Sequence, residues 1–175
     1  MRKILTIVVC MFLLCGCSSS PLKKQTFTIE LGNDVFANPI LYVKDNVDVE
    51  GMSVKTLNVG IRKEDNQFVS GSNDYILVGT YDFAIVTKTG REIPFKIKIK
   101  DTKPPTLRSY KKEITVKKGS IINWDDYIGA DDLSGISYEM IPNIDTTIVG
   151  SYPIDLKVSD RFGNSVTKTI VVNVE

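Results

Sequence analysis

Apolar and polar residues alternate along much of this chain. Phe27-Thr28-Ile29-Glu30-Leu31 alternates and stops at Gly32. Ile93-Pro94-Phe95-Lys96-Ile97-Lys98-Ile99, Ile114-Thr115-Val116-Lys117 and Ile154-Asp155-Leu156-Lys157-Val158 do the same. Successive side chains of a strand point to opposite faces, so a period of two marks strands with one buried and one wet face. β-branched and aromatic residues, which suit a pleated, half-buried surface, dominate these runs. Past the N-terminal end, no segment carries an apolar stripe of helical period over three turns. Short strands punctuated by Gly, Asn and Asp predict an all-β chain built as sandwiches.

The pattern is stated twice. "VGSYPIDLKVSDRFGNSVTKTIVVNV" starts at Val149, and "VGTYDFAIVTKTGREIPFKIKI" starts 71 residues earlier at Val78. "FTIELGND" at Phe27 aligns with "ITVKKGSI" at Ile114, which matches Gly32 to Gly119 and, 13 residues on, Asp45 to Asp132. From there the first copy takes 33 residues to reach Val78, and the second takes 17 to reach Val149, so the first holds a 16-residue insertion within about 50–75. A repeated supersecondary pattern predicts two homologous units. Asp101-Thr102-Lys103-Pro104-Pro105 separates them, because two prolines cannot continue a sheet ladder and each restricts the residue before it. In each copy Gly150 or Gly79 precedes a tyrosine, Tyr152 or Tyr81, whose position suits a ring in the core and a hydroxyl bonded to backbone. Asp160 and Gly163 suit the turn of the closing hairpin.

The N-terminal end reads differently. Met1-Arg2-Lys3 is basic, and Ile4 to Leu14, "ILTIVVCMFLL", is almost wholly apolar. That run is too short to cross a bilayer, which takes about 20 residues, and has the size of a signal-peptide core. It leads into Leu14-Cys15-Gly16-Cys17, which resembles the bacterial lipobox. The resemblance implies cleavage before Cys17 and lipid on its sulfur; an ordinary secretory signal is the plainer alternative. Residues 1–16 are then a lipoprotein signal peptide, and 17–25 the lipidated cysteine with a polar tether.

The second copy carries a further resemblance. "DTKPPTL", "ITVKKGS", "ADDLSG" and the closing stretch from Val149 resemble, in order, the bacterial immunoglobulin-like modules of surface proteins. Residues 101–175 match over nearly their whole length. Residues 26–100 match weakly: they lack the Ala-x-Asp turn, and Thr87-Lys88-Thr89-Gly90-Arg91 replaces Asp-x-x-Gly-Asn. The resemblance implies two tandem immunoglobulin-like β-sandwiches, with no activity attached to the family as a whole.

Composition narrows the chemistry. The chain has no histidine, which excludes Ser-His-Asp and Cys-His catalysis and histidine-ligated zinc. Of its three cysteines, Cys10 and Cys15 lie in the signal and Cys17 is the lipid acceptor, so the mature chain has no disulfide and no thiolate site. Without Arg2 and Lys3 the balance is 20 basic to 21 acidic residues, which offers no block for nucleic acid. The densest basic cluster is Lys111, Lys112, Lys117 and Lys118. It reads as a solvated strand face, with contact to anionic lipid or wall polymer as the sharper alternative.

Three features remain as candidates. Asp125, Asp126, Asp131 and Asp132, with Ser134 and Gly135 after, form an acidic stretch that can hold Ca²⁺ through oxygen ligands or simply cap turns. No other cofactor is expected. Trp124 and Tyr127 can stack on a sugar or anchor a protein partner if exposed, or close one end of the sandwich if buried. The insertion offers Val54, Leu57, Val59 and Ile61 for an added strand or hairpin, and recognition is often built on such additions. The expectation is a non-catalytic lipoprotein, anchored by Cys17 on the extracytoplasmic face of a bacterial membrane. It would bind an envelope polysaccharide or surface protein, or space a partner from the membrane. A calcium-stiffened module, or an accessory part of an envelope or polysaccharide-processing complex, is the alternative.

Overall fold

The computed structural model describes residues 20–175. Cys10, Cys15 and the anchor residue Cys17 lie outside the described residues. Among those described, 13 strands and two single 3₁₀ turns make up the regular structure, so the all-β expectation holds. No helix among them is long and apolar enough to cross a membrane.

The first half is a sandwich of two sheets. β1 (Thr26–Glu30), β7 (Glu92–Lys100), β6 (Gly79–Val86) and β3 (Ser53–Thr56) lie in that order in one sheet. β2 (Val35–Phe36), β5 (Gln67–Ser70) and β4 (Ile61–Glu64) form the other. β6 and β7 form a long antiparallel hairpin that sets Tyr81 opposite Ile97 and Phe83 opposite Phe95. β7 shows the alternation most plainly: Phe95, Ile97 and Ile99 are buried, while Lys96, Lys98 and Lys100 face solvent. Phe68 of β5 meets Phe83 of β6 edge-on at 5.1 Å between ring centres, which joins the two sheets. The shared core runs from Leu22 to Ile99.

The second half repeats the plan. β11 (Ser137–Ile141), β12 (Gly150–Ser159), β13 (Ser165–Val174) and β9 (Glu113–Val116) form one sheet, and β10 (Ile128–Asp131) and β8 (Thr106–Tyr110) the other. Its core includes Ile114, Trp124, Ile128, Leu156, Ile170 and Val172. In both halves the two longest strands form the closing hairpin, and an early strand pairs in parallel with the last one: β1 with β7, β9 with β13. Both halves are immunoglobulin-like β-sandwiches with separate cores. β3 pairs with β6 as β11 pairs with β12, so the element peculiar to the first half is the β4–β5 hairpin. Of the four apolar residues offered by the insertion, Val54 and Ile61 are buried; Leu57 and Val59 are exposed.

The tether expected over 17–25 is shorter than the sequence implied. Leu22 is buried in the first core and bridges to Val43. The Lys23 amide donates to the Tyr42 carbonyl at 2.8 Å, and the Lys44 amide donates to the Pro21 carbonyl at 2.8 Å. One apolar residue inside a polar, Pro- and Lys-containing stretch has no period to reveal it. The link at 101–105, in contrast, is free of strand as its prolines require, with β7 ending at Lys100 and β8 starting at Thr106.

Candidate functional site

Three carboxylates converge where the link meets the second sandwich. Asp101 opens the link, Asp132 follows β10, and Asp160 starts the β12–β13 turn. One oxygen from each lies within 4.8 Å of the others. Local turn chemistry fixes two of the three. Asp132 Oδ1 accepts from the Ser134 amide at 2.8 Å and the Ser134 hydroxyl at 2.7 Å, and Gly135 takes φ of 93° to close the turn. Asp160 Oδ1 accepts from the Phe162 and Asn164 amides, both at 2.8 Å, and its Oδ2 accepts from Asn164 Nδ2 at 2.6 Å. That carboxylate is buried as well as fully used. Asn164 Nδ2 also donates to the Asp101 carbonyl at 3.2 Å, which ties the link to the hairpin turn.

Asp101 differs from its neighbours. Its Oδ2 is enclosed and has no hydrogen-bond partner. Burial pushes its carboxyl above the usual range, and the charges of Asp132 and Asp160 add to that, against polar contacts with Ser134 and the Lys103 amide. The adjoining cleft, about 600 Å³, is lined by both acidic and basic residues. One of its two cations is paired, and the charge of the other is felt at Glu30. Arg108 Nε pairs with Asp131 Oδ2 at 2.5 Å, and the charge of Lys103 acts on Glu30. Glu30 is further held below its ordinary range by the Thr102 amide (2.8 Å) and hydroxyl (2.7 Å).

The acidic set expected from sequence is not the one that assembles. Of Asp125, Asp126, Asp131 and Asp132, only Asp132 joins a convergent group among the described residues. Asp125 accepts from the Tyr138 hydroxyl at 2.7 Å, Asp126 is exposed, and Asp131 is taken by Arg108. The reason is geometric: Asp131 ends β10 beside Arg108 of β8, Asp132 lies in the turn that follows, and Asp125 and Asp126 sit on a separate 3₁₀ turn, Trp124–Asp126. Asp101 and Asp160 were missed as members. The signal available was their place in the "DTKPP" and "DRFGN" stretches, each an Asp at a chain reversal or link.

Nor is an exposed Trp–Tyr pair formed. Trp124 is 8% exposed and belongs to the second core. Tyr127 is half-buried, edge-on to Trp124 at 6.5 Å, with Lys111 Nζ 5.3 Å above its ring. Tyr127, Tyr110, Lys111, Asp125 and Asp126 line a shallow cleft of about 340 Å³. An aromatic edge flanked by both charges is a surface that can meet a sugar or a polar peptide. Lys111, Lys112, Lys117 and Lys118 are all exposed.

No protein-family model matches this sequence, and no curated protein does. Solved structures similar to the chain include the human desmocollin-1 ectodomain, at 11% identity over 87% of this chain and 36% of that one, with a TM-score of 0.33. Human mucin-like protocadherin EC1-2 matches at 16% identity over 88% and 97%, with a TM-score of 0.33. The fibronectin(III)-like modules of Clostridium thermocellum CbhA match at 16% identity over 90% and 92%, with a TM-score of 0.30. The fold assignment rests on the sheets and cores described above.

Proposed function

We propose that this chain is an exported bacterial lipoprotein whose two sandwiches form a non-catalytic binding or spacing module on the extracytoplasmic face of the membrane. The observation that carries this reading is the order Arg2-Lys3, apolar Ile4–Leu14, Leu14-Cys15-Gly16-Cys17, set before sandwiches that lack any histidine or cysteine. Two or three acyl chains on Cys17 anchor stably where one binds only marginally, at roughly 0.8 kcal/mol per buried CH₂. The unit boundaries that go with it are 26–100 and 101–175, with Pro21–Gln25 belonging to the first unit. Recognition is assigned to the Tyr127 cleft, with envelope polysaccharide or a surface protein as partner.

Metabolic labelling with a fatty acid tests the anchor. The wild-type chain should take up label and fractionate with membranes, and Cys17→Ser should lose both. Labelling that survives in Cys17→Ser would sink the anchor assignment. Saturable binding of the purified chain to isolated envelope polysaccharide or envelope protein tests the module; a spacer would bind neither.

A further inference from the structure

We infer that the link is a clasp: two adjacent residues, Asp101 and Thr102, are each gripped by a different sandwich, and this fixes the two sandwiches as one rigid body. From the first sandwich, Glu30 at the end of β1 takes both donors of Thr102, the amide at 2.8 Å and the hydroxyl at 2.7 Å. Hydrogen bonds to a carboxylate are charge-assisted and stronger than neutral ones. From the second sandwich, Asn164 Nδ2 donates to the Asp101 carbonyl at 3.2 Å, and Asn164 is itself held by Asp160 in the β12–β13 turn. The Leu31 amide donates to the Lys100 carbonyl at 2.7 Å, so the pairing of the first sandwich runs up to the last residue before the link. At the other end Pro105 is buried just before β8. Only Lys103 and Pro104 lie between, and the proline ring fixes one of their torsions. Leu133, in the turn after β10, reaches across as well: a Cβ on Gly32 would stand 2.6 Å from its Cδ1.

The repeat shows that the sandwich itself does not demand these residues. Aligned through Gly32 and Gly119, Glu30 corresponds to Lys117. Aligned through Gly90 and Gly163, Asn164 corresponds to Arg91; aligned through Asp45 and Asp132, Leu133 corresponds to Asn46. Glu30 stands at the end of the first sandwich that leads into the link, and Asn164 and Leu133 stand at the end of the second that receives it. Their counterparts Lys117, Arg91 and Asn46 stand at the ends away from the junction, and all three are exposed. The acceptor, the amide donor and the apolar contact therefore occur together only where the two sandwiches meet. Domains joined by a chain move relative to one another by default unless their interface is large. Here the link supplies the restraint that a large interface would otherwise provide. The clasp serves the spacing role proposed above, but its geometry stands without that role.

Pulsed electron resonance on the full chain in detergent tests the clasp, with nitroxides on ketone side chains introduced at the exposed Lys63 and Thr167, one on each sandwich. The distance distribution should be single and no wider than that of a control pair at Lys63 and Lys98, both in the first sandwich. Glu30→Ala should broaden the distribution between sandwiches about twofold or more and leave the control pair unchanged. It should also speed hydrogen exchange at the Thr102 amide about tenfold or more, because that amide loses its acceptor. Trp124, the only tryptophan and part of the second core, should keep its buried emission in Glu30→Ala, so the broadening cannot be put down to misfolding. A wild-type distribution wider than the control's would overturn the inference, as would an unchanged width in Glu30→Ala. The readout involves no envelope partner and no cysteine, so it succeeds or fails independently of the anchor and binding assays.

Discussion

The hydroxyl of Tyr152 donates to the carbonyl of Ile148, four residues earlier, at 2.9 Å. Tyr81 makes the same bond to Leu77, also at 2.9 Å. In each half the ring packs against the core while the hydroxyl pins the chain as it enters the long inner strand. This resembles the tyrosine corner of immunoglobulin sandwiches. The glycine two residues before each tyrosine leaves room for it. A Cβ on Gly79 would stand 2.9 Å from the Tyr81 hydroxyl, and one on Gly150 would stand 3.2 Å from that of Tyr152.

Removing either hydroxyl should therefore weaken its own sandwich. Tyr81→Phe and Tyr152→Phe should each cost about 0.5–1.5 kcal/mol in denaturant unfolding, the net worth of one hydrogen bond. Gly79→Ala should cost more than Gly150→Ala, since its new methyl approaches closer. Combining Gly79→Ala with Tyr81→Phe should cost somewhat less than the sum of the two, because the hydroxyl is the nearest atom to the new methyl, although the ring carbons at 3.0 and 3.2 Å stay in place. Strict additivity in that cycle would show that the hydroxyl is not the part of the ring that keeps alanine out.

Leu22 gives a second test, at the start of the described chain. Its side chain is 3% exposed in the first core. Leu22→Ala should lower stability by about 2–5 kcal/mol, as buried leucine truncations do. Lys24→Ala, two residues on and exposed, should change little. If both variants unfold like wild type, the tether extends to Gln25 and the core begins at Thr26.

Much of the fold was legible because it is written in local alternation. β7 reads directly from Phe95, Ile97 and Ile99 against three lysines, and the same holds for β12. The parallel pairing of β1 with β7 was not legible: Phe27 meets Ile97 across 70 residues, and no local pattern encodes which distant strand lies alongside. The acidic cluster failed for the same reason. Asp125, Asp126, Asp131 and Asp132 are close in sequence but diverge in space, whereas Asp101, Asp132 and Asp160 are far apart in sequence and converge. Trp124 shows a subtler limit. Flanking Asn123, Asp125 and Asp126 make "NWDD" look like an exposed loop, yet a single 3₁₀ turn rotates the indole into the core.

That rotation separates two variants that sequence would treat alike. Trp124→Ala should destabilise the second sandwich by about 3–5 kcal/mol, because it empties a core position. Tyr127→Ala should destabilise less than Trp124→Ala, because its ring is only half-buried against that core, but should weaken binding to envelope polysaccharide or protein several-fold. Binding that is indifferent to Tyr127→Ala in a folded chain would remove the cleft from the recognition surface.

Alkaline pH should loosen the first sandwich through Tyr42. Its hydroxyl donates to the Phe36 carbonyl at 2.6 Å, and burial pushes its pKa from 10 to about 12. The folded state thus favours the neutral phenol more than the unfolded chain does. The resulting stabilisation is complete below pH 10 and is lost as pH rises from 10 towards 12. Each unit of difference corresponds to about 1.4 kcal/mol. Urea unfolding followed from pH 8 to 11.5 should show stability falling above pH 10. Tyr42→Phe should be weaker than wild type at pH 8, having lost the bond to Phe36, yet show a shallower fall above pH 10. Some fall should persist in the variant, because the Tyr138 hydroxyl, beside Asp125, is also raised to about 12, by burial first and then by that carboxylate. A fall of equal steepness in Tyr42→Phe would show that the alkaline loss originates elsewhere.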